Sequence, residues 1–313
     1  MISIVTPAYN EAANLPLLYE RLRSVTAEHG IEWEWLIVDD HSRDQTFAVI
    51  NQLARKDSHI RGLRLARNFG AHTAMMCGLA HARGQAGIIM AADLQDPPVT
   101  IPQLVAKWRE GGQVVWAVRE QRLGETKSTL AFARLYYWLL RHVVGMKEIP
   151  SEGADFFLVD RAVMTVLEQM PENNVSLMAL ITWLGFRQTQ IQYVKQARQH
   201  GKSGWNLERK LKLVVDSVTA FTYLPIRLMT YLGISIATLG FIYAGWILVN
   251  LRNSPPAGWS SLMVVVLLLG GVQMLLLGVL GEYLWRTLDE SRRRPRFWVE
   301  ADTKTLTKLE LAP

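Results

Sequence analysis

Cysteine is almost missing from this chain of 313 residues: Cys77 stands alone, which excludes an internal disulfide and suits a reducing compartment. The seven histidines show no metal-ligand spacing, so a zinc centre is not expected. Charge is missing from two long stretches, Leu228 to Val249 and Leu262 to Gly281. Each is long enough to cross a ~30 Å hydrocarbon layer as a helix, and a helix apolar on every side has few soluble uses. A basic leader is not expected either, because MISIVTPAYNE reads directly as a strand pattern. No internal repeat or low-complexity tract is visible. With 50% hydrophobic residues, the chain has apolar material for one large domain and an added module.

Positive charge is in excess, at +6 with a pI near 9.5. It clusters beside the apolar stretches: Arg209, Lys210, Lys212 and Arg227 precede the first, and Arg286, Arg292, Arg293, Arg294 and Arg296 follow the second. The connecting NLRNSPPAGWSS carries only Arg252. This asymmetry predicts both termini on the cytoplasmic side of the inner membrane, with anionic lipids as partners and no nucleic acid. Gly233 with Ala237, and Gly240 with Ala244, allow close helix packing; a homo-oligomer, as large as a tetramer, is the corresponding expectation.

The first part of the chain alternates short apolar runs with helical patterns. Strands are expected at Ile2 to Thr6, Trp35 to Val38, Leu63 to Ala66, Ile88 to Ala92 and Val114 to Val118, with helices near 12–29, 44–56, 70–83 and 99–110. This rhythm implies an α/β fold, a doubly wound and mainly parallel sheet. The expected division is a catalytic domain over 1–204 with an interfacial helix near 127–144. A juxtamembrane amphipathic helix over 205–227 and two spans over 228–285 come next, then a basic cytoplasmic tail over 286–313, poorly ordered after Arg296.

Chemistry concentrates where strands stop. The run AGIIMAADLQDPP ends in Asp93, Gln95 and Asp96, hard oxygen donors suited to Mg²⁺ or Mn²⁺ bridging a diphosphate. The first strand runs into Pro7, Tyr9 and Glu11, the second into Asp39 and Asp40, so carboxylates gather at one sheet edge. Arg119 at the end of the fifth strand and Arg134 on the interfacial segment carry the planar fork that suits a phosphate. Asp155 opens another short apolar strand.

PAYNE, VDDHSRDQT, RNFG from Arg67 and DLQDPP stand in the order found in inverting family-2 glycosyltransferases of GT-A fold, which this chain resembles. GADFFLVDR, QARQHGKSGW and the two spans narrow the resemblance to polyprenyl-phosphate glycosyltransferases, such as bactoprenol glucosyltransferases and dolichyl-phosphate mannose synthases. The resemblance implies transfer of one sugar from a nucleotide sugar, UDP-glucose foremost, to a polyprenyl phosphate such as undecaprenyl phosphate. It places Pro7, Tyr9, Glu11, Asp39, Asp40 and Arg67 around the nucleotide, and Asp93 and Gln95 at metal and diphosphate. Arg198, Lys202 and Ser203 match the loop that closes over the diphosphate, and Asp155 matches an acceptor-side carboxylate acting as base or positioning group. Ala91 stands where much of that group carries a further Asp.

Two other readings compete. A processive polysaccharide synthase would need more spans and a QxxRW motif, which this sequence lacks. A catalytically weak nucleotide-binding membrane scaffold is motivated by Ala91.

Overall fold

The computed structural model describes residues 1–120, 136–142, 144–146, 149–150, 155–170, 172, 175–196, 207–250 and 258–305. The alternating apolar runs form β1 (Ile2–Ala8), β2 (Trp33–Asp39), β3 (Ile60–Leu65), β4 (Ala86–Ile89) and β5 (Val114–Arg119). Between them lie α1 (Leu15–Glu28), α2 (Thr46–Lys56), α3 (Ala71–His81) and α4 (Ile101–Arg109). Every residue of β2 and β4 is buried, as a strand covered on both faces requires.

Helix α1 shows how the layers lock. Leu15, Leu18, Leu22 and Val25 recur at helical spacing, all are buried, and a proline occupies its first turn. The three leucines join one core with Ile2 and Ile4 of β1, Ile50 and Leu53 of α2, and Ile101, Leu104 and Val105 of α4. On the opposite face α3 packs on β1 and β2. Gly78 makes this possible, since a Cβ there would overlap the Val5 side chain. Cys77 is buried beside it, and burial pushes its thiol up to about 12. It is therefore a packing residue.

The later strands are β6 (Phe156–Asp160), β7 (Gln188–Tyr193) and β8 (Val299–Asp302), with helices α5 (Arg161–Gln169) and α6 (Leu177–Trp183). The eight-stranded order is β7-β5-β6-β4-β1-β2-β3-β8. β6 is antiparallel to β4 and β5, and β8 is antiparallel to β3; the remaining pairs are parallel. The mainly parallel α/β sheet matches the sequence expectation, with β4 ending at Ile89 rather than Ala92.

The tail is a correction. Instead of a poorly ordered segment, residues Val299–Asp302 add β8 to the sheet edge. Gly62 N–H donates to Thr303 Oγ1 at 2.9 Å, Ala66 N–H to Trp298 O at 2.9 Å, and Arg61 pairs with Asp302 at 2.7 Å. Thr303 is buried, and any Cβ at Gly62 would collide with it. The chain accordingly divides into a sheet-bearing unit, Met1–Ser217 with Pro295–Pro313, and a second unit, Val218–Arg294.

Within the second unit lie α8 (Leu224–Asn250) and α9 (Trp259–Ser291); α7 (Leu207–Phe221) leads into it. Among the described residues two helices are long and apolar enough to cross a membrane, with windows at Leu224–Tyr243 and Leu268–Ser291. Leu239, Phe241 and Leu268 among others are exposed, an arrangement suited to an apolar solvent. Of the expected interfacial helix, residues 136–142 are helical. Tyr136 and Leu140 are buried and Trp138 is exposed, and the Tyr136 hydroxyl bonds Ser217 Oγ at 3.0 Å. One side of this helix is thus seated on protein.

Candidate active site

Three neighbouring strands leave the same sheet edge through a non-glycine residue in the left-handed region. They are Asn10 after β1 (φ 58°), His41 after β2 (φ 60°) and Leu94 after β4 (φ 62°). Each costs roughly 1 kcal/mol or more, so three at one edge mark a backbone shaped for a site. Hydrogen bonds hold the first two loops together: Asn10 N–H donates to Ser42 Oγ, and Arg43 N–H to Asn10 Oδ1, both at 2.9 Å. Glu11 N–H donates to Thr46 Oγ1 at 2.8 Å, and the Glu11 carboxylate accepts from Asn14 Nδ2 at 2.5 Å. Pro7 is half-buried in β1, and Tyr9 is exposed at its mouth.

The two adjacent aspartates after β2 do different work. Asp40 spends both oxygens on backbone amides, Oδ1 accepting from Phe69 at 2.7 Å and Oδ2 from Gly70 at 2.8 Å. It fixes the RNFG loop, where the exposed Arg67 stacks over the Phe69 ring at 4.4 Å. Asp39 is fully buried and accepts Ser42 N–H through Oδ1 at 3.0 Å, while its Oδ2 has no hydrogen-bond partner. Burial raises the pKa of both carboxyls, outweighing the Ser42 hydrogen bonds and Arg64 charge at Asp39 and the loop amides at Asp40.

After β4, buried Asp93 accepts the Gln95 backbone N–H through Oδ1 at 3.2 Å. The Gln95 side chain donates to Gln196 O at 3.3 Å, and Gln196 N–H returns a bond to Gln95 O at 2.8 Å. The loop after β7 is thereby stitched to the DLQD loop. Among the described residues no group of three or more His, Cys, Asp or Glu side chains could hold a metal. Asp93 with the Gln95 amide oxygen is a hard but incomplete donor set. It suits a cation that brings further oxygens with it, as a diphosphate complex does.

Asp96 faces the other way. It is fully buried, accepts the Tyr193 hydroxyl at 2.7 Å and lies 3.8 Å from Lys195 Nζ. Tyr193 stands opposite Arg119 in the β5–β7 register and hydrogen-bonds it. Arg119 Nη2 donates to Asp155 Oδ2 at 2.8 Å. Burial lowers the Arg119 pKa, but Asp155, Tyr193 and Asp96 together raise it above its ordinary value, so the guanidinium is a permanent cation. Asp96, Tyr193, Arg119 and Asp155 form one chain from the β4 loop to the start of β6.

The structure thus brings Asp39, Asp40, Asp93, Gln95, Arg119 and Asp155 to strand ends of a single sheet. Arg134, Arg198, Lys202 and Ser203 lie outside the described residues. Sequence reasoning missed Tyr193, Lys195, Arg64 and Glu300. The only available signal was for Tyr193 and Lys195, which close the polar run QTQIQYVK just before the basic loop.

Comparison with known proteins bears on the family and the fold. Residues 3–166 match Glycosyl transferase family 2, and residues 224–286, spanning α8 and most of α9, match the GtrB C-terminal hairpin. An uncharacterized glycosyltransferase of Bacillus subtilis, YkcC, is 37% identical over 95% of this chain and 93% of its own. A bactoprenol glucosyl transferase of Shigella phage SfV is 34% identical over 96% of this chain and 98% of its own; a prophage bactoprenol glucosyl transferase homolog of Escherichia coli K12 has the same values. Among solved structures, glucosyl-3-phosphoglycerate synthase of Mycobacterium tuberculosis, in complex with phosphoglyceric acid, superposes with a TM-score of 0.52 at 18% identity. That match covers 69% of this chain and 78% of the other, a likeness of fold that supports the GT-A architecture. By its sequence match and its fold, the chain is a member of glycosyl transferase family 2.

Proposed function

We propose that this glycosyltransferase moves a single glucose from UDP-glucose to a polyprenyl phosphate, such as undecaprenyl phosphate, with inversion at the cytoplasmic face of the inner membrane. The observation that carries this reading is the pairing of two opposed devices along one sheet edge. Asp39 offers a carboxylate oxygen that accepts no hydrogen bond on one side, and Arg119 is held as a cation by Asp155 on the other. The two long apolar helices, and relatives named bactoprenol glucosyl transferase over nearly the whole chain, favour a lipid acceptor.

The residues then take these roles. Asp39 Oδ2 accepts an N–H or hydroxyl of the nucleoside, while Asp40 keeps the Arg67 loop in place. Asp93 and Gln95 would hold Mg²⁺ or Mn²⁺ against the diphosphate, and a bound cation supplies charge stabilisation to the departing nucleotide. Arg119 receives the acceptor phosphate with its planar fork, assisted by Arg134; Arg198, Lys202 and Ser203 serve the donor diphosphate.

A phosphate monoester has a second pKa of about 6, so the acceptor is mostly a dianion near neutral pH and needs little from a base. Its oxygen attacks the anomeric carbon in line. The new C–O bond forms as the bond to the diphosphate breaks, and the electron pair leaves with the nucleotide. Asp155 is accordingly a positioning residue for Arg119, and alignment of two anions supplies much of the rate.

A radiolabelled nucleotide-sugar panel with undecaprenyl phosphate in detergent, with Mn²⁺ or EDTA, tests the reading. One glucose per lipid, from UDP-glucose, with an inverted anomeric carbon by NMR, is expected. Repeated addition would identify a polymerising synthase, and nucleotide binding without transfer would identify a scaffold.

A further inference from the structure

The strand that follows the apolar helices reaches the same crevice. In the β3–β8 pairing Leu65 lies opposite Val299 but Arg64 lies opposite Ala301, so Glu300 is the extra residue of a β-bulge. A bulge re-aims a side chain and is common beside active sites. Here it turns the Glu300 carboxylate toward Arg64 and His41: Oε2 is 3.6 Å from Arg64 Nε and 3.6 Å from His41 Nδ1.

Arg64 sits between two carboxylates. Its Nε is 3.7 Å from Asp39 Oδ2 and 3.6 Å from Glu300, and it hydrogen-bonds neither. The Asp39 oxygen on that side is buried and also lacks a hydrogen-bond partner. Two buried polar atoms of opposite charge, a few tenths of an ångström beyond bonding distance, would ordinarily close on each other. Glu300 supplies the opposing pull. The Phe47 ring, 5.4 Å below the guanidinium, limits its movement further.

We infer that Glu300 is a positioning residue for donor recognition: it holds Arg64 away from Asp39, so that Asp39 Oδ2 remains available to an N–H of the nucleoside diphosphate. This rests on the proposed placement of the nucleotide at Asp39. Its consequence is that a segment lying beyond both apolar helices tunes affinity for the donor. The strand that carries it is anchored independently, through Thr303 on Gly62 and Asp302 on Arg61, so a change at Glu300 leaves the docking contacts intact.

The test uses the full chain in detergent, with UDP binding followed by calorimetry. E300A and the isosteric E300Q are expected to weaken UDP binding about tenfold, with an unchanged melting temperature and an unchanged KM for polyprenyl phosphate. The double variant R64Q/E300A is expected to bind UDP within about twofold of the unmodified protein, because no cation is left to close on Asp39. A purely structural role for Glu300 would not produce that rescue. E300A and E300Q binding UDP normally, or a double variant as weak as E300A, would overturn the role of Glu300 alone. An unmodified protein that binds none of UDP, GDP and dTDP would overturn the donor placement itself, and this role with it.

Discussion

The two halves of the crevice hold their charges by different means. At the ends of β1 and β2, carboxylates are fixed by backbone amides: Phe69 and Gly70 on Asp40, Ser42 on Asp39. At the ends of β4, β5 and β7, side chains hold one another, in the sequence Asp96, Tyr193, Arg119, Asp155. A backbone cradle is rigid and suits recognition of neutral N–H and hydroxyl groups. A network of side chains shifts with the charge of its occupant, which suits an anion that arrives, reacts and departs.

The comparison breaks most sharply at Asp93. Replacing it with alanine should abolish sugar transfer, by at least about 10²-fold as for other groups that meet developing charge, while UDP binding survives through Asp39. Single-turnover transfer beside calorimetry would show this, and full activity with normal metal dependence would remove Asp93 from the site.

Next in size is Arg119. R119A should lower kcat/KM for the acceptor by about 10²-fold and leave the donor KM within twofold; R119K should recover little, since an ammonium lacks the fork held by Asp155. Equal losses toward donor and acceptor would show that the two halves are not separate.

A third test acts on the amide-held half through pH. Burial raises the Asp39 pKa above 3.8, so the folded state favours its protonated form. The stability this contributes is complete below 3.8 and is lost as pH rises through the elevated value. D39N cannot ionise, so its melting temperature relative to the unmodified protein should climb over that window. UDP affinity of the unmodified protein should rise over the same window, as the carboxylate forms, and D39N should flatten that rise.

The smallest effect is expected outside both halves, at the β8 edge. Burial pushes the Asp302 pKa up, but the Arg61 hydrogen bond and the Lys304 amide pull it below 3.8 overall. Its contribution is therefore present above 3.8 and lost as pH falls through the depressed value. D302N should cost about 1 kcal/mol at neutral pH, measured by denaturant unfolding, and nothing in strong acid.

The half of the fold that carries β1, β2 and β4 was legible because its information is local. Apolar runs of strand length, each stopped by Asp or Asn, announce β1, β2 and β4, and α1 states its buried stripe in its own spacing. β7 and β8 were not legible for a physical reason. QTQIQY is a half-exposed edge strand without an apolar run, and VEAD becomes a strand only because β3, far away in sequence, offers Gly62 and Arg61. Site residues followed the same division. Asp39 and Asp93 stand at readable strand ends, whereas Tyr193 and Glu300 owe their meaning to partners across the sheet. The separate duties of Asp39 and Asp40 could not be read from two identical neighbours.

The place of β8 in the chain also sets an order of manufacture. Seven strands are synthesised before α8 and α9, and the eighth emerges after them. At ribosomal rates of about 5–20 residues per second, the β3 edge waits about ten to fifty seconds for its neighbour. An unpaired edge invites pairing with the wrong chain, and natural edges resist this with charge. Arg61 and Arg64, which later receive Asp302 and Glu300, are the cations on that edge. While the nascent chain is still lengthening, the same two arginines serve as its guards.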